Sequence, residues 1–176
     1  LQRVRPDIVL INEFDWDADA EGAKLFAENY LSVAQSGSEP LEYLHIFVPP
    51  TNTGISSGVD LNNDGKVEAL PGSQAYGDDS FGFGRFSGQY GFVVLSRYPI
   101  VTQDIRTFQN LLWKDMPGNL LPLDWYTPAS AEVFRLSSKN HVDVPVDVNG
   151  KRIHILASHP TPPSFDGPED RNGKRN

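Results

Sequence analysis

The feature that most constrains the fold is an apolar run near the start of the chain that ends at a carboxylate. The run covers Ile8 to Ile11, and Glu13 follows after one asparagine. A continuous run of this kind is typical of a strand covered on both faces, as in layered α/β folds. Such folds place ligand sites at the carboxyl ends of strands. Glu13 is therefore a candidate site residue; the alternative is an acid that ends the strand in solvent.

A second apolar run, near the other end of the sequence, also ends at a side chain that can take part in chemistry. Residues 153–158 read Ile-His-Ile-Leu-Ala-Ser, and His159 follows, directly before Pro-Thr-Pro-Pro. The prolines fix the backbone beside His159, and an imidazole held in this way can transfer a proton or bind a phosphate oxygen. His45 and His154 lie inside predicted strands, where structural roles are expected, and the role of His141 stays open.

The first fifty residues predict a strand–helix–strand unit. Apolar side chains recur with helical spacing over residues 19–35, and residues 43–48 predict a second strand. This order is typical of a layered α/β fold. Further strands are predicted at 90–95, 100–108 and 132–136.

A hairpin is the clearest local prediction. Valines alternate with other residues over 142–148, Asn149-Gly150 follows, and residues 151–158 return. Asn-Gly between two such runs predicts a two-residue type I′ turn. Pro145 predicts that the first strand lies at an edge or has a free amide position there.

Two long segments have no clear periodicity. Residues 49–88 are rich in Gly, Asn, Asp and Ser, and a loop of this length in a compact domain is typically functional. Residues 109–129 carry Trp113, Trp125 and Tyr126, for which two interpretations stay open: a substrate rim or anchors that pack the loop.

A candidate calcium loop lies within the first of these segments. Asp60, Asn62 and Asp64 occupy ligand positions 1, 3 and 5 of an EF-hand-type pattern, with Gly65 at position 6. The twelfth position, normally a glutamate, is Pro71. A Ca²⁺ site in residues 60–68 and an Asx-rich turn are equally compatible with this pattern.

Charge and cysteine content exclude several functions. The net charge of −8 disfavours tight nucleic-acid binding by a broad basic surface, and the absence of cysteine excludes disulfides, zinc–thiolate sites and thiol nucleophiles in this sequence. No apolar run approaches the length of a membrane span, so none is predicted. Arg171 and Arg175 lie in a basic cluster near His159, where they either bind phosphate or form a solvated tail.

Three segments together resemble a known superfamily. Pro-Asp-Ile-Val-Leu-Ile-Asn-Glu13, Tyr-Gly-Phe-Val-Val-Leu-Ser-Arg-Tyr-Pro-Ile100 and Ile-Leu-Ala-Ser-His159-Pro occur in this order. They are similar to motifs of the endonuclease/exonuclease/phosphatase superfamily, and the resemblance spans nearly the whole chain. The sequence looks like a bacterial, exported branch, so an extracellular or periplasmic location is expected.

The resemblance implies a fold and a mechanism. The fold would be a four-layer α/β sandwich, with two packed mixed β-sheets flanked by helices and the site at one end. Glu13 would ligate Mg²⁺ or Mn²⁺, and His159 would bind or protonate the phosphate. Hydrolysis would proceed by in-line attack of an activated water, without a covalent intermediate.

The resemblance also implies that part of the site lies elsewhere. The family's Asp-x-Asn motif and its terminal Asp-His pair should follow His159 by many residues, whereas only residues 160–176 follow it in this sequence. Residues 1–176 are therefore expected to form a single domain that supplies about its first half. On this expectation the segment alone is inactive, and its partner is the C-terminal half.

Three functions stay open at this stage. The first is a metal-dependent phosphoester hydrolase that acts on a small or lipid-like phosphoester or on a weakly held nucleic acid. The second is a secreted DNA or RNA endonuclease, whose activity should fall steeply with salt. The third is a non-catalytic extracellular module that binds Ca²⁺ through residues 60–68.

Overall fold

The computed structural model describes residues 1–176, which form six strands and several short helical segments. In chain order these are β1 (Ile8–Asn12), α1 (Glu21–Phe26) with a π-helical continuation (Ala27–Leu31), β2 (His45–Phe47), α2 (Gln74–Asp78), β3 (Phe92–Ser96), β4 (Arg106–Thr107), α3 (Pro128–Val133), β5 (His141–Val148), β6 (Lys151–Ser158) and α4 (Arg171–Arg175). Two 3₁₀ turns lie at Thr102–Asp104 and Trp113–Asp115.

The first sheet has the order β1-β3-β2, and both pairs are antiparallel. All five residues of β3 are buried, whereas β1 is half-buried along most of its length. β1 nevertheless contacts a core on each face, Val9 and Ile11 on one and Ile8 and Leu10 on the other, so the prediction that it is covered on both faces is confirmed. β3 is buried more deeply because it has a neighbouring strand on each side, while β1 lies at the edge of this sheet.

The second sheet has the order β4-β5-β6 and is also antiparallel. The predicted hairpin is confirmed, because Asn149 and Gly150 have φ of 55° and 80°, as a type I′ turn requires. β5 is central rather than an edge strand. Pro145 is tolerated in β5 because the two-residue β4 pairs only with Asp143 and Val142 and does not reach it. On that side of β5, the Pro145 carbonyl accepts a hydrogen bond from the Val101 amide (2.8 Å).

The two sheets pack face to face, with α1 against the outer face of the first. Phe92 and Val94 of β3 contact Val142 and Val144 of β5 between the sheets. Val93 and Leu95 point the other way, into a cluster with Ala23, Leu31, Leu41 and Tyr43. These layers support an α/β fold, although every strand pair is antiparallel where mixed sheets were expected. The four-layer arrangement stays a prediction.

The two segments without periodicity form a third core. Leu61 and Phe81 from the first segment pack with Trp113 and Tyr126 from the second and with Phe134, which follows α3. The packing interpretation is confirmed for Trp113 and Tyr126, which are both buried. This core explains why a long loop can be held in one conformation.

Several predicted boundaries are wrong. The helix expected at 19–35 is helical over residues 21–31, and the strand expected at 100–108 retains only β4. The strand expected at 132–136 is also wrong: residues 132–133 belong to α3, and beyond them only Arg135 forms an isolated β-bridge. α3 forms because Thr127 accepts a hydrogen bond from the Ser130 amide (3.1 Å) and Pro128 occupies the first turn. None of the helices is long and apolar enough to cross a membrane.

Candidate functional site

The structure brings together the two candidate residues that were identified at strand ends. Glu13 directly follows β1 and His159 directly follows β6, and the two strands end at the same edge of the packed sheets. The distance from Oε1 of Glu13 to Nε2 of His159 is 3.9 Å. A carboxylate and an imidazole thus share one small region, although their residues are far apart in sequence.

The position of Glu13 is set by a close approach of two main-chain segments. The amides of Phe14 and Trp16 donate hydrogen bonds to the carbonyls of Gly91 and Gly88, at 3.1 and 2.8 Å. A Cβ atom on Gly88 would lie 2.4 Å from the Trp16 carbonyl oxygen, so only glycine allows this approach. Glu13 itself has φ of 61°, which turns its side chain out of the strand direction. Its carboxylate is 69% exposed and accepts no hydrogen bond within the chain.

His159, in contrast to Glu13, is largely shielded from solvent. Its side chain is only 16% exposed, and its Nδ1 atom is buried without a hydrogen-bond partner. Burial lowers the pKa of His159 below its ordinary value, and the nearby Lys139 ammonium lowers it further; Glu13 and the Tyr90 main chain act in the opposite direction. The imidazole is therefore neutral at pH 7, with one nitrogen able to donate a hydrogen bond and the other able to accept one.

Both residues line a cavity of about 670 Å³. This volume lies within the range of small-molecule sites. The remaining lining is mixed: it contains aromatic rings, two further carboxylates and three cationic side chains. The cations are Lys139, Arg171 and Arg175. None of them forms an ion pair with a carboxylate within 4.0 Å, although the carboxylates of the lining equal the cations in number.

Lys139 is the residue that sequence reasoning missed. Its side chain is among the buried polar groups, with 7% exposure, and burial lowers its pKa to about 8. Its ammonium lies 3.5 Å from Oγ1 of Thr161. The only sequence signal is its place in Ser-Ser-Lys-Asn before β5, and a lysine in a polar run normally predicts an exposed surface.

Arg175 does not belong to a solvated tail, so that interpretation is wrong for it. Its guanidinium is buried, and burial lowers its pKa to about 10. It donates hydrogen bonds to three main-chain carbonyls, those of Phe81, Arg135 and Leu136. Arg171 stacks on the Trp125 ring, with its guanidinium carbon 4.2 Å from the ring centroid. Phosphate binding by Arg171 and Arg175 stays a prediction.

The candidate calcium loop is an Asx-rich turn in this structure. Asp60 accepts hydrogen bonds from the amides of Asn63 (2.7 Å) and Gly65 (2.9 Å), while Asn62 and Asp64 accept from amides two residues ahead. No three His, Asp or Glu side chains are grouped to hold a metal anywhere in residues 1–176. Ca²⁺ binding by this loop stays a prediction.

Glu13 fits the way in which proteins hold Mg²⁺. Mg²⁺ commonly takes one or two carboxylates and completes its coordination with waters and substrate phosphates. The Glu13 oxygens are exposed and free of hydrogen bonds, so one such carboxylate is present at the cavity. Glu13 is thus suited to be one ligand among several.

The comparisons with known proteins give one positive finding. The model of the Endonuclease/Exonuclease/phosphatase family matches residues 1–173. A comparison with curated proteins and one with solved structures find no match.

Proposed function

Because this chain belongs to the endonuclease/exonuclease/phosphatase family, we propose that it hydrolyses a phosphoester in the cavity beside Glu13 and His159. Members of the family are generally metal-dependent phosphoester hydrolases. The observation that supports the proposal here is the contact of Glu13 with His159 on a cavity wall that carries unpaired cations. The unpaired cations of this wall can pair with a negatively charged phosphate.

The roles of the two residues follow from their environments. Glu13 would hold Mg²⁺ or Mn²⁺ through its free carboxylate. A bound divalent cation offsets charge that develops on the phosphoryl oxygens. His159, held neutral by burial, would donate a hydrogen bond from one nitrogen to a phosphate oxygen during in-line attack of water. No covalent intermediate is needed, because neither residue is placed as a nucleophile.

The substrate we propose is a small or lipid-like phosphoester. The chain carries a net charge of −8, which repels the DNA backbone, and three of its 15 Lys and Arg residues line the cavity. Hydrolysis of plasmid DNA that falls steeply with salt would instead favour the secreted-nuclease alternative.

The test is the Mg²⁺-dependent hydrolysis of bis(p-nitrophenyl) phosphate by the wild type and by Glu13→Gln. We expect the variant to lose at least about 100-fold in Mg²⁺-dependent kcat, because an amide is a poor ligand for a hard cation. Glu42→Gln, at another exposed glutamate, is the matched control and should retain wild-type rates. Wild-type rates in Glu13→Gln would remove Glu13 from the mechanism.

The intact mass of the assayed protein decides how this test is read. A single 19.5-kDa species is expected to bind metal without turnover, since the resemblance places further site residues outside residues 1–176. For that species the readout is paramagnetic broadening of the His159 ring signals by Mn²⁺. We expect broadening in the wild type and its loss in Glu13→Gln; no broadening in either would contradict the proposal.

A further inference from the structure

A buried lysine that forms no ion pair lies in the same cavity as Glu13 and His159. We propose that Lys139 is a substrate-binding residue that holds the phosphate group beside Thr161 and His159. This inference rests on the proposed function and adds to it the cation that meets the anionic substrate.

The first support is burial without compensation. The Lys139 side chain is 7% exposed, and no carboxylate lies within 4.0 Å of its ammonium. The contact with Thr161 Oγ1, at 3.5 Å, is at the limit of a hydrogen bond. Lysines normally extend their charged end into water, and a buried charge is costly unless it is paired. An anion in the cavity would supply the missing partner.

The second support is that the backbone at Lys139 is fixed. Its carbonyl accepts a hydrogen bond from the Asn52 amide (2.8 Å), and the Asn140 side chain donates one to a main-chain carbonyl (2.9 Å). A Cβ atom on Gly82 would lie 1.8 Å from the Ser138 carbonyl oxygen, so the segment before Lys139 is in close contact with its neighbour. The lysine is therefore presented to the cavity by a rigid segment, as preorganised binding requires.

The third support is electrostatic. Burial, and then Arg175, lower the pKa of Lys139 to about 8, while Glu13 acts in the opposite direction. The ammonium is still mostly protonated at pH 7, so it is a cation when the substrate arrives. Lys139 and Arg175 repel each other at this wall, and a bound phosphate would stabilise both charges.

The inference is tested with inorganic phosphate and with bis(p-nitrophenyl) phosphate on Lys139→Met, Lys139→Arg and the exposed control Lys151→Met. A charge-assisted hydrogen bond predicts that Lys139→Met weakens phosphate binding, and raises KM, by about 10- to 100-fold. Lys139→Arg, which keeps the charge, should recover part of the loss, and Lys151→Met should match the wild type. Thermal unfolding of each variant confirms that it is folded; Lys139→Gln replaces Lys139→Met if the latter is not.

Each outcome distinguishes this inference from the proposed function. If the wild type hydrolyses the substrate in a Glu13-dependent way and Lys139→Met binds phosphate within twofold of the wild type, only the role of Lys139 is overturned. If the lysine variants lose affinity and Glu13→Gln does not lose turnover, the anion site stands and the role of Glu13 falls. A wild type that neither binds phosphate nor hydrolyses the ester overturns both.

Discussion

Two histidine–carboxylate pairs lie at β6, and they are built in opposite ways. On the outer face of the second sheet, Nδ1 of His154 is 2.7 Å from Oδ1 of Asp143. At the end of the same strand, Nε2 of His159 is 3.9 Å from Oε1 of Glu13. In the first pair the carboxylate is buried, at 3% exposure, and the histidine is half-exposed; in the second pair the histidine is buried and the carboxylate is exposed.

The difference indicates which pair is free to act on a ligand. Asp143 also accepts two hydrogen bonds from Arg106, at 2.6 and 3.1 Å, so its oxygens are used within the protein. Glu13 accepts none, and Nδ1 of His159 is buried without a partner. A fixed and satisfied pair is typical of structural support, whereas unused polar groups at a cavity are typical of a binding site.

The largest expected effect is on catalysis. His159→Gln should lower kcat for bis(p-nitrophenyl) phosphate by roughly 100-fold or more, because it removes the group that meets the phosphate. His154→Gln, on the same strand, is the matched control and should stay within about twofold of the wild type. The measurement is the steady-state rate in Mg²⁺ for both variants.

Two results would contradict the proposed difference between the His154–Asp143 and His159–Glu13 pairs. Equal losses in the two histidine variants would show that the exposed pair also acts in the reaction or that both changes disturb β6. Thermal unfolding separates these explanations, because a disturbed strand lowers Tm. Unchanged rates in His159→Gln would leave the second pair without a catalytic role.

The two pairs should differ in the opposite way in thermal stability: a change in the His154–Asp143 pair should lower Tm more than a change in the His159–Glu13 pair. Asp143→Asn loses the charge that Arg106 and His154 hold and should lower Tm by several degrees, whereas Glu13→Gln should stay within about 2 °C of the wild type. The hydrogen bonds from Arg106 first, and then from His154, hold the pKa of Asp143 below its ordinary value of 3.8. The stabilisation is therefore present above pH 3.8 and is lost as the pH falls through the lowered pKa.

The measurement is Tm of the three proteins as a function of pH. The gap between the wild type and Asp143→Asn should be constant near neutral pH and should close once the pH falls below 3.8. A gap that persists in acid would mean that Asp143 stabilises the fold through packing rather than through its charge.

The fold could be predicted from the sequence where short-range rules act. The hairpin around Asn149 was predictable because an Asn-Gly turn and alternating valines agree with each other. The deeper burial of β3 than of β1 was not, because it depends on which strands become neighbours. The replacement of a predicted strand by α3 depends on a cap at Thr127 and on packing against the third core.

The site could be predicted only in part, for a related reason. Glu13 and His159 could be identified because each follows an apolar run and because both runs resemble motifs of the family whose model matches residues 1–173. Lys139 was not visible, because its position depends on contacts of residues 138–140 with segments that are distant in the sequence. The same limit applies to Arg175, whose burial requires three distant carbonyl groups.

The smallest expected effect is a difference in acid stability that arises from His159 alone. Burial, and then Lys139, lower the pKa of His159 below its ordinary value of 6.5. As the pH falls through 6.5, the unfolded chain takes up a proton at this residue before the folded chain does, so the wild type loses stability. In metal-free buffer, Tm of His159→Gln relative to the wild type should therefore rise, by a few degrees at most, between pH 7.5 and pH 5. Lys139→Met should show a weaker version of the same trend, because it removes one cause of the lowered pKa. A constant difference between His159→Gln and the wild type across this range would mean that the folded chain protonates His159 as readily as the unfolded chain does.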